Sequence, residues 1–364
     1  MRLLIIYIII QYPTGSAGII SGMQFKVIKT EEAWESITQE WNMLLAYSAC
    51  HIPFLRHEYL VNWWQTRGGG EWDAESSQLT IITASRDGEL IGIAPLFSGI
   101  NRDNEAVLMF IGSFEVSDYL DVIARPDDLR EFTQGLLDFI STDPETRGKK
   151  LDLYNFSDCS LTPGVLIETA MQSGWSINEE PLQPCPVIKL PGDWDSYLAG
   201  LDKKQRHEIR RKMRRVDEAE GGTKFYIVDD ADSLDREAQE FIAMMENDPE
   251  KLAFLTPLMR QYLSNLAKVA LTHGWLNLSF LTINGEKAAG YFSFLFEDRL
   301  WIYNSAMNNN YADYSPGWVL LGHLIQWAIA QGVQEVDFMR GDESYKYKFG
   351  GINRHIKRCM LEKV

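Results

Sequence analysis

Alternating apolar and polar residues predict a β-hairpin in each half of the chain. Residues 78–97 form two apolar runs around Asp87-Gly88, and residues 276–296 form two runs around Asn284-Gly285. Asp-Gly and Asn-Gly between alternating runs are strong signals for a two-residue hairpin turn. The two hairpins share their form and their turn chemistry, which indicates an internal repeat.

Each hairpin is followed by the same elements: a strand, a helix with proline in its first turn, and a short strand. The predicted ranges are 107–111, 126–140 and 151–153 in the first half, and 300–306, 316–330 and 336–338 in the second. Proline suits the first helical position because its missing N–H would have no partner there. The second helix also carries an apolar stripe that faces a sheet, at Leu321, Leu324, Ile325 and Ala328. The chain therefore predicts two copies of one α/β unit.

Turn residues and prolines between about 160 and 190 separate the two copies. We predict an N-terminal domain at 23–160, a connecting segment at 161–192 and a C-terminal domain at 193–364. Further helices are expected in the second half, at 196–219, 232–247 and 255–273.

The first residues of the chain have two interpretations. Residues 1–22 contain an apolar run from Leu3 to Ile10, which is too short to span a bilayer. Residues 1–22 are either a leader segment or the result of an over-called start, and we favour the second interpretation, with a true start at Met23. From there the sequence begins as a strand at 25–28 and a helix capped by Thr30.

Composition narrows the class of protein. The net charge of −16 over 364 residues opposes DNA binding, and no segment predicts stable membrane insertion. Four scattered cysteines, none in a metal-binding spacing, indicate a reducing compartment and therefore a cytoplasmic protein. The histidines form no zinc-binding pattern either, so we predict no metal.

One segment is strongly basic although the chain as a whole is acidic. Eight of the thirteen residues from Lys203 to Arg215 are Lys or Arg. Such a run is either a solvated helix face or a rim that attracts a phosphate-bearing ligand, such as coenzyme A or an RNA end, or an anionic glycan.

The turn Ser315-Pro316-Gly317 opens the second proline-started helix. Ser315 suits an N-cap, Pro316 suits the first helical position, and Gly317 permits close approach of a ligand to the backbone. A helix N-terminus binds anions. The equivalent turn in the first half has no glycine and places Asp127 and Asp128 in the first turn, where carboxylates would repel a phosphate. Only the second copy is therefore predicted to keep an anion site.

A dense polar cluster follows the last short strand, at Asp337, Arg340, Asp342, Glu343, Tyr345 and Lys346. A tyrosine can give a proton to a leaving group, and a carboxylate can take one from an attacking group. An arginine or lysine can stabilise an oxyanion or a carboxylate. A surface salt-bridge cluster is the other interpretation.

A polar turn in the first half, Ser117 to Asp121, is expected to face the cleft between the copies. Asp118 and Tyr119 are candidates to hold an acceptor there. The alternative is a polar turn packed by Tyr119.

These motifs resemble a known family. The resemblance is to the GNAT-type acetyltransferase domain of CelD-like proteins, and it rests on Tyr-x-x-x-Ser-Pro-Gly at 311–317, Gly332, Asp337-Phe338 and Arg340-Gly-Asp-Glu-x-Tyr-Lys346. That family is linked to cellulose and exopolysaccharide biosynthesis. It is also similar to the Fem-type aminoacyltransferases, which have two GNAT-like domains. The resemblance spans residues 23–364.

The resemblance implies an α/β (α+β) fold of tandem GNAT-like domains, the first of them degenerate. Each would be a mixed, mostly antiparallel, twisted sheet flanked by helices, with the donor in a splay between its fourth and fifth strands. Ser315, Pro316 and Gly317 would bind the pyrophosphate of acyl-CoA or acetyl-CoA. The glycine-rich phosphate loop of ordinary GNAT enzymes is absent here, as it is in the CelD-like group.

The implied function is an acyltransferase acting on an amine or hydroxyl of a sugar, glycan or amino-acid acceptor. We expect the reaction centre at Asp337, Glu343, Tyr345 and Lys346. The acceptor would be bound by Asp118, Tyr119, Tyr303, Arg340 and Asp342. Two alternatives stay open: a Fem-like aminoacyltransferase using charged tRNA, which the acidic net charge disfavours, and a non-catalytic binding module.

Overall fold

A computed structural model gives the architecture of residues 17–20 and 22–364. The apolar run at 3–10 lies outside the described residues, so the interpretation of the leader stays a prediction. The predicted strand at 25–28 and the cap at Thr30 are confirmed, since the Thr30 side chain accepts a hydrogen bond from the Ala33 N–H.

The first half runs from two short strands to a helix that follows the ninth strand. Its elements are β1 (Ala17–Ile20), β2 (Met23–Ile28), α1 (Glu31–Glu35), α2 (Thr38–Ala46), a 3₁₀ turn (Pro53–Leu55), α3 (His57–Gly70), β3 (Gln78–Leu79), β4 (Ile81–Arg86), β5 (Glu89–Ala94), β6 (Leu96–Ile100), β7 (Ala106–Phe110), β8 (Ile123–Ala124), α4 (Leu129–Thr142), β9 (Lys150–Ser157) and α5 (Thr162–Gln172).

The second half repeats this order of elements after a long strand and a basic helix. Its elements are β10 (Trp175–Lys189), α6 (Trp194–Gly200), α7 (Lys203–Asp217), β11 (Thr223–Ile227), α8 (Ala231–Met245), α9 (Pro249–Phe254), α10 (Pro257–Thr272), β12 (Leu276–Ile283), β13 (Glu286–Phe296), β14 (Arg299–Met307), a 3₁₀ turn (Asn309–Tyr314), α11 (Pro316–Ala330), β15 (Glu335–Asp337), α12 (Ser344–Lys348) and β16 (Ile352–Lys363).

Both predicted hairpins are confirmed, as β4–β5 and β12–β13. Asp87 and Gly88 have φ angles of 53° and 85°, and Asn284 and Gly285 have 53° and 79°. Positive φ at both central positions matches the right-handed twist of the strands, which is why Asn-Gly and Asp-Gly are favoured there. The helix predicted at 316–330 is α11, whereas the helix predicted from Pro126 begins later, at Leu129.

The strands form two sheets. The smaller has the order β1-β2-β4-β5-β8, and the larger has the order β11-β12-β13-β14-β15-β10-β16-β9-β7-β6-β3. Neighbouring strands are antiparallel except for β7–β9 and β14–β15, which are parallel. Parallel neighbours need a crossover, and α4 and α11 supply it. The predicted fold class, a mixed and mostly antiparallel α/β fold with GNAT-like halves, is confirmed.

The segment at 161–192, predicted to connect the halves, forms α5 and β10. β10 pairs with β16 from Trp175 to Val187 and with β15 over its last residues, Val187 to Lys189. Its prolines at 181, 184 and 186 lie before its pairing with β15, and its register with β16 shifts between Pro181 and Pro184. On the other edge the carbonyl oxygens of Pro184 and Pro186 accept from the N–H groups of Gly341 and Phe338, so these contacts need no proline N–H. β16 also pairs with β9, so both halves contribute strands to one sheet.

Side chains alternate between two layers where β14 meets β15. Leu300, Ile302 and Val336 pack in the layer of α11, whereas Trp301 packs in the layer shared with the first half. The predicted stripe of α11 is buried in the former layer. This alternation decides on which face of the sheet each candidate residue lies. Among the described residues, no helix has both the length and the apolar character needed to cross a bilayer.

Candidate functional site

The site is built where two parallel strands separate. β14 and β15 pair only over three positions, Arg299 with Glu335 to Trp301 with Asp337. β14 continues to Met307, while the chain beyond β15 turns away through Met339, whose φ is 57°. The strands therefore open into a V with α11 beginning at its wide end, which is the splay that the family resemblance implied.

The start of α11 has unpaired hydrogen-bond donors. Ser315 occupies the N-cap position as predicted, but its φ and ψ are 52° and 53° and its side chain makes no capping hydrogen bond. Consequently the N–H groups of Gly317 and Trp318 have no acceptor among the described residues. A left-handed serine costs conformational energy, and such strain clusters at functional sites. The free N–H groups can bind an anion.

Gly317 lies close against the side chain of Met307. A Cβ placed on it would lie 2.6 Å from the Sδ atom of Met307, at the end of β14. Its carbonyl oxygen accepts a long hydrogen bond, 3.4 Å, from the Tyr291 hydroxyl. The glycine thus lets α11 begin close against β14 and β13, whereas sequence reasoning had predicted that a ligand needs the space.

Two cations of the basic helix α7 lie beside this helix start. The Lys212 Nζ atom is 4.2 Å from the centroid of the Trp318 ring, and the Arg215 guanidinium is 5.5 Å from the Tyr314 ring. Lys212 also pairs with Glu208 at 3.5 Å, and other cations of the helix pair with carboxylates as well, as in Arg210–Asp195, Arg211–Glu208 and Arg214–Glu218. α7 therefore adds positive charge where α11 offers free N–H groups.

Tyr345 lies on α12 in the α11 layer. Its ring meets Phe338 edge-on at 6.0 Å, and its hydroxyl has no hydrogen-bond partner among the described residues. Burial, and then the Glu343 carboxylate, raise the pKa of Tyr345. The pKa of Tyr291 is raised by burial and, after that, by Tyr345 and Glu343. Tyr291, which bonds to the Gly317 carbonyl oxygen, therefore lies within electrostatic range of Tyr345 and Glu343, and the Tyr345 hydroxyl is protonated at neutral pH.

Lys346 is buried and fully engaged. Its Nζ atom donates to the carbonyl oxygens of Arg340 at 2.6 Å and of Met339 and Gly341 at 3.3 Å each, and it pairs with Glu343 at 2.9 Å. A buried ammonium satisfied in this way closes the turn from Met339 to Glu343. The donors of Lys346 are therefore occupied by the backbone of this turn, whereas the sequence placed Lys346 at the expected reaction centre.

Asp337 faces away from Tyr345. Its buried carboxylate accepts hydrogen bonds from the Tyr119 hydroxyl, at 3.0 and 3.1 Å, and from the Met339 N–H at 2.8 Å. Phe338, the next residue, packs with Tyr345 in the α11 layer. Burial raises the pKa of Asp337 to about 6, although Arg299 opposes this shift. The predicted reaction centre is therefore divided between the two faces of the sheet.

Asp118 is joined to Arg340 across the two halves. Its carboxylate accepts from the Arg340 N–H at 2.9 Å and from the Arg340 Nε at 2.5 Å, and both side chains are about 15% exposed. Sequence reasoning assigned both residues to the acceptor. The structure brings Asp118 and Arg340 together, but as an ion pair with each other.

The remaining predicted residues are separate from this group. The Tyr303 hydroxyl donates to the Val116 carbonyl oxygen at 2.8 Å, within a buried network that includes Tyr262. Asp342 is exposed and accepts a hydrogen bond from the Tyr347 hydroxyl.

Two cavities flank the V. One, of about 210 Å³, lies between the halves and is lined by Tyr119, Trp301, Arg299, Asp337 and others. The second, of about 610 Å³, lies at the end of β14 and is lined by residues that include Met244, Met245, Lys251, Ser305 and Met307. Sequence reasoning missed Lys251, because its bonding partners are more than fifty residues away in sequence and no local motif marks it. The described residues contain no cluster of three or more His, Cys, Asp or Glu placed to hold a metal ion.

Asp337→Asn is expected to change how stability depends on pH. An acid whose folded-state pKa is raised to about 6 binds a proton more tightly than in the unfolded chain, so its stabilising contribution is lost as pH rises from about 4 to about 6. The free energy of unfolding of the variant, relative to wild type, should rise by about 1–3 kcal/mol between pH 4 and pH 7. Urea denaturation at both pH values measures this, with exposed Asp342→Asn as control. A constant difference, or the same rise in the control, contradicts the assignment.

Comparison with known proteins gives a family-model match over part of the chain. Residues 203–347 match the family model described as "Acetyltransferase (GNAT) domain". The match covers less than half of the chain, and this part of the chain is similar to a GNAT acetyltransferase domain. A comparison with curated proteins gave no match.

Solved structures share the fold of the whole chain at low identity. A crystal structure of FemX is 13% identical, covers 88% of this chain and 95% of its own, and has a TM-score of 0.62. A conserved protein of unknown function from Bacteroides thetaiotaomicron is 11% identical, with 90% and 97% covered and a TM-score of 0.59. L-PGS from Bacillus licheniformis is 13% identical, with 92% of each chain covered and a TM-score of 0.51.

Proposed function

We propose that the chain is an acyltransferase that moves an acyl group from acyl-CoA to an amine or hydroxyl of a sugar or amino-acid acceptor. One observation carries the proposal: the unpaired N–H groups of Gly317 and Trp318 lie beside Lys212 and Arg215 at the opening between β14 and β15. A diphosphate needs such donors and cations together, because its charge must be both hydrogen-bonded and neutralised.

The side chains at the opening suit thioester chemistry. The acceptor nitrogen or oxygen attacks the thioester carbonyl carbon, the new C–N or C–O bond forms, and the C–S bond breaks. Tyr345 gives its proton to the leaving thiolate, and Glu343 takes the proton of the attacking group. The raised pKa of Tyr345 keeps it in the protonated form that this role requires.

The other predicted reaction-centre residues act through position in this proposal. Asp337 holds Tyr119 and the Met339 turn, and Lys346 holds the carbonyl oxygens of that turn. Asp118 and Arg340 fix the first half against it. These four residues are buried or nearly so and have their hydrogen-bonding groups occupied. Glu343 pairs with Lys346 through one carboxylate oxygen, but its side chain is 57% exposed, so its second oxygen can accept the proton.

The proposed cellular role rests on the sequence motif. The resemblance of residues 311–346 to CelD-like proteins supports a place in exopolysaccharide or cell-envelope biosynthesis. A cytoplasmic location fits an acyl-CoA donor and four free cysteines.

Donor binding tests the proposal. Ser315→Glu puts a carboxylate at the start of α11, and it should weaken binding of coenzyme A by about tenfold or more through charge repulsion at short range. Gln331→Glu adds the same charge at the exposed C-terminal end of the same helix and should change the dissociation constant less than about twofold. Isothermal titration calorimetry of the three proteins measures this. Equal weakening in both variants contradicts the proposal, as does wild-type protein that binds no coenzyme A.

A charged-tRNA donor is the alternative that the Fem-type resemblance brings. The exposed cations of α7 favour it, but the net charge of −16 opposes it. Activity that requires aminoacyl-tRNA and is destroyed by ribonuclease would select this alternative. If no donor gives product, the remaining interpretation is a non-catalytic binding module.

A further inference from the structure

Lys251 is a partly buried cation without a carboxylate partner. It lies on α9 at the end of β14, where its Nζ atom donates to Asn304 Oδ1 and Ser305 Oγ, each at 3.2 Å, and to the Ser305 carbonyl oxygen. No carboxylate of the described residues lies within 4.0 Å of this atom. Three neutral oxygens satisfy its donors, and the carboxylates of Asp248 and Glu343 act on its charge from beyond ion-pair distance.

Two other buried lysines of this half are different. Lys287 pairs with Glu237 at 2.5 Å, and Lys346 pairs with Glu343 at 2.9 Å. A charge taken out of water is costly unless an opposite charge meets it, so buried lysines are normally paired. Lys251 differs from these two lysines because no carboxylate of the described residues reaches ion-pair distance, which leaves a direct ion pair open to a ligand carboxylate.

Space for that ligand lies next to Lys251. The cavity of about 610 Å³ at the end of β14 is lined by Lys251 and by apolar surface from Met244, Met245 and Met307. Met307 also lies against Gly317 in the first turn of α11, so this side chain stands between the cavity and the start of that helix. The Glu343 carboxylate, the proposed base, acts on the charge of Lys251, so a group bound on Lys251 would lie near the proposed reaction centre.

The acids around the cavity suit an amine on the same ligand. Asp248 and Glu250 line it, and Glu343 is close enough to influence the charge of Lys251. The Asp248 carboxylate caps α9 by accepting from two backbone N–H groups, and Glu250 is exposed to solvent. One central cation with acids around it is complementary to a molecule that carries both a carboxylate and an ammonium group.

We propose that Lys251 binds the carboxylate of the acceptor, and that the acceptor is an amino acid whose amine receives the acyl group. This inference rests on the proposed function and narrows its acceptor class. α9 contributes no buried residue, and it is held to β14 by Lys251 and by the Asn247 side chain, which donates to the Met307 carbonyl oxygen. The carboxylate would add a charged contact where α9 meets β14.

Binding of matched ligand pairs tests the proposal. The probes are the common L-amino acids and the carboxamide of each, titrated by NMR saturation transfer against the full chain with and without coenzyme A. At least one amino acid should bind wild type about ten- to a hundredfold more tightly than its amide, as one charge-assisted hydrogen bond implies. Lys251→Met should remove this preference, and Lys251→Arg should restore most of it.

Controls separate this proposal from the proposed function. Lys268→Met, an exposed lysine on the neighbouring α10, should keep the preference. Lys251→Met should keep its affinity for coenzyme A, which shows that the variant is folded and that the donor site is intact. A wild type that binds coenzyme A but prefers no amino acid over its amide overturns the carboxylate site alone, and so does a preference that survives Lys251→Met. Loss of coenzyme A binding in wild type overturns the proposed function instead.

Discussion

Tyr345→Phe is expected to lower kcat by roughly a hundredfold while leaving the KM for acetyl-CoA within about threefold, because it removes only the proton given to the leaving thiolate. The ring, its edge contact with Phe338 and the surrounding packing are kept. Since the pKa of Tyr345 is raised, deprotonation of this group should not limit the wild-type rate at neutral pH. Release of free thiol from acetyl-CoA, followed with a chromogenic disulfide and the best amino-acid acceptor, measures both constants.

Tyr347→Phe is the matched control for this experiment. Tyr347 lies on the same short helix, and its hydroxyl bonds to Asp342 and Asn353 at the surface. Its loss should change kcat less than about twofold, since surface substitutions away from special features have small effects. If Tyr345→Phe keeps its rate, or if both variants lose the same amount, Tyr345 is not the proton donor.

Arg340→Met is expected to lower the free energy of unfolding by about 2–4 kcal/mol, because it leaves the Asp118 carboxylate largely buried without its cation. The Arg340 side chain also donates to the Glu115 carbonyl oxygen, so this one substitution leaves two acceptors of the first half without their donor. Urea denaturation followed by tryptophan fluorescence measures the loss.

Two further variants make that measurement specific. Arg211→Met removes an exposed arginine paired with Glu208 and should cost less than about 1 kcal/mol. The double variant Asp118→Leu/Arg340→Met removes both charges and should recover part of the loss, since an apolar pair of similar volume often replaces a buried ion pair. A loss in Arg340→Met no larger than in Arg211→Met would show that the pair does not hold the halves together.

The elements that the sequence predicted have strong local signals. Asn284-Gly285 determines its hairpin through two positive φ angles, and Pro316 marks the first residue of α11. The apolar stripe of α11 follows helical spacing and is buried as expected. Such signals depend on neighbours in sequence, so one sequence is enough to predict them.

The parts that sequence reasoning missed depend on distant residues. Asp337 and Tyr345 were predicted to act together because they are close in sequence, but strand alternation turns Asp337 toward Tyr119 of the first half. Ser315 looked like an ordinary capping residue, and only its left-handed backbone shows that the N–H groups of α11 stay free. Lys251 lies on helix α9 and hydrogen-bonds to Ser305 on β14, a contact that the local sequence does not reveal.

The first half shows what a closed version of the same turn looks like. There Asp128, at the N-cap position of α4, pairs with Arg86 on β4 at 2.9 Å. The carboxylate supplies the negative charge that a ligand would otherwise bring. The two copies thus differ in charge at this turn, with Asp128 at the N-cap of α4 and Ser315 at the N-cap of α11. That only the second copy binds an anion stays a prediction.

The location of the donor tests the central claim most directly, and a crystal structure of the full chain with coenzyme A measures it. The diphosphate is expected within hydrogen-bond distance of the Gly317 and Trp318 N–H groups, with the thiol directed toward Tyr345 and the cavity of Lys251. Coenzyme A bound instead in the pocket between the halves that contains Asp337, or anywhere remote from the start of α11, would contradict the proposed site.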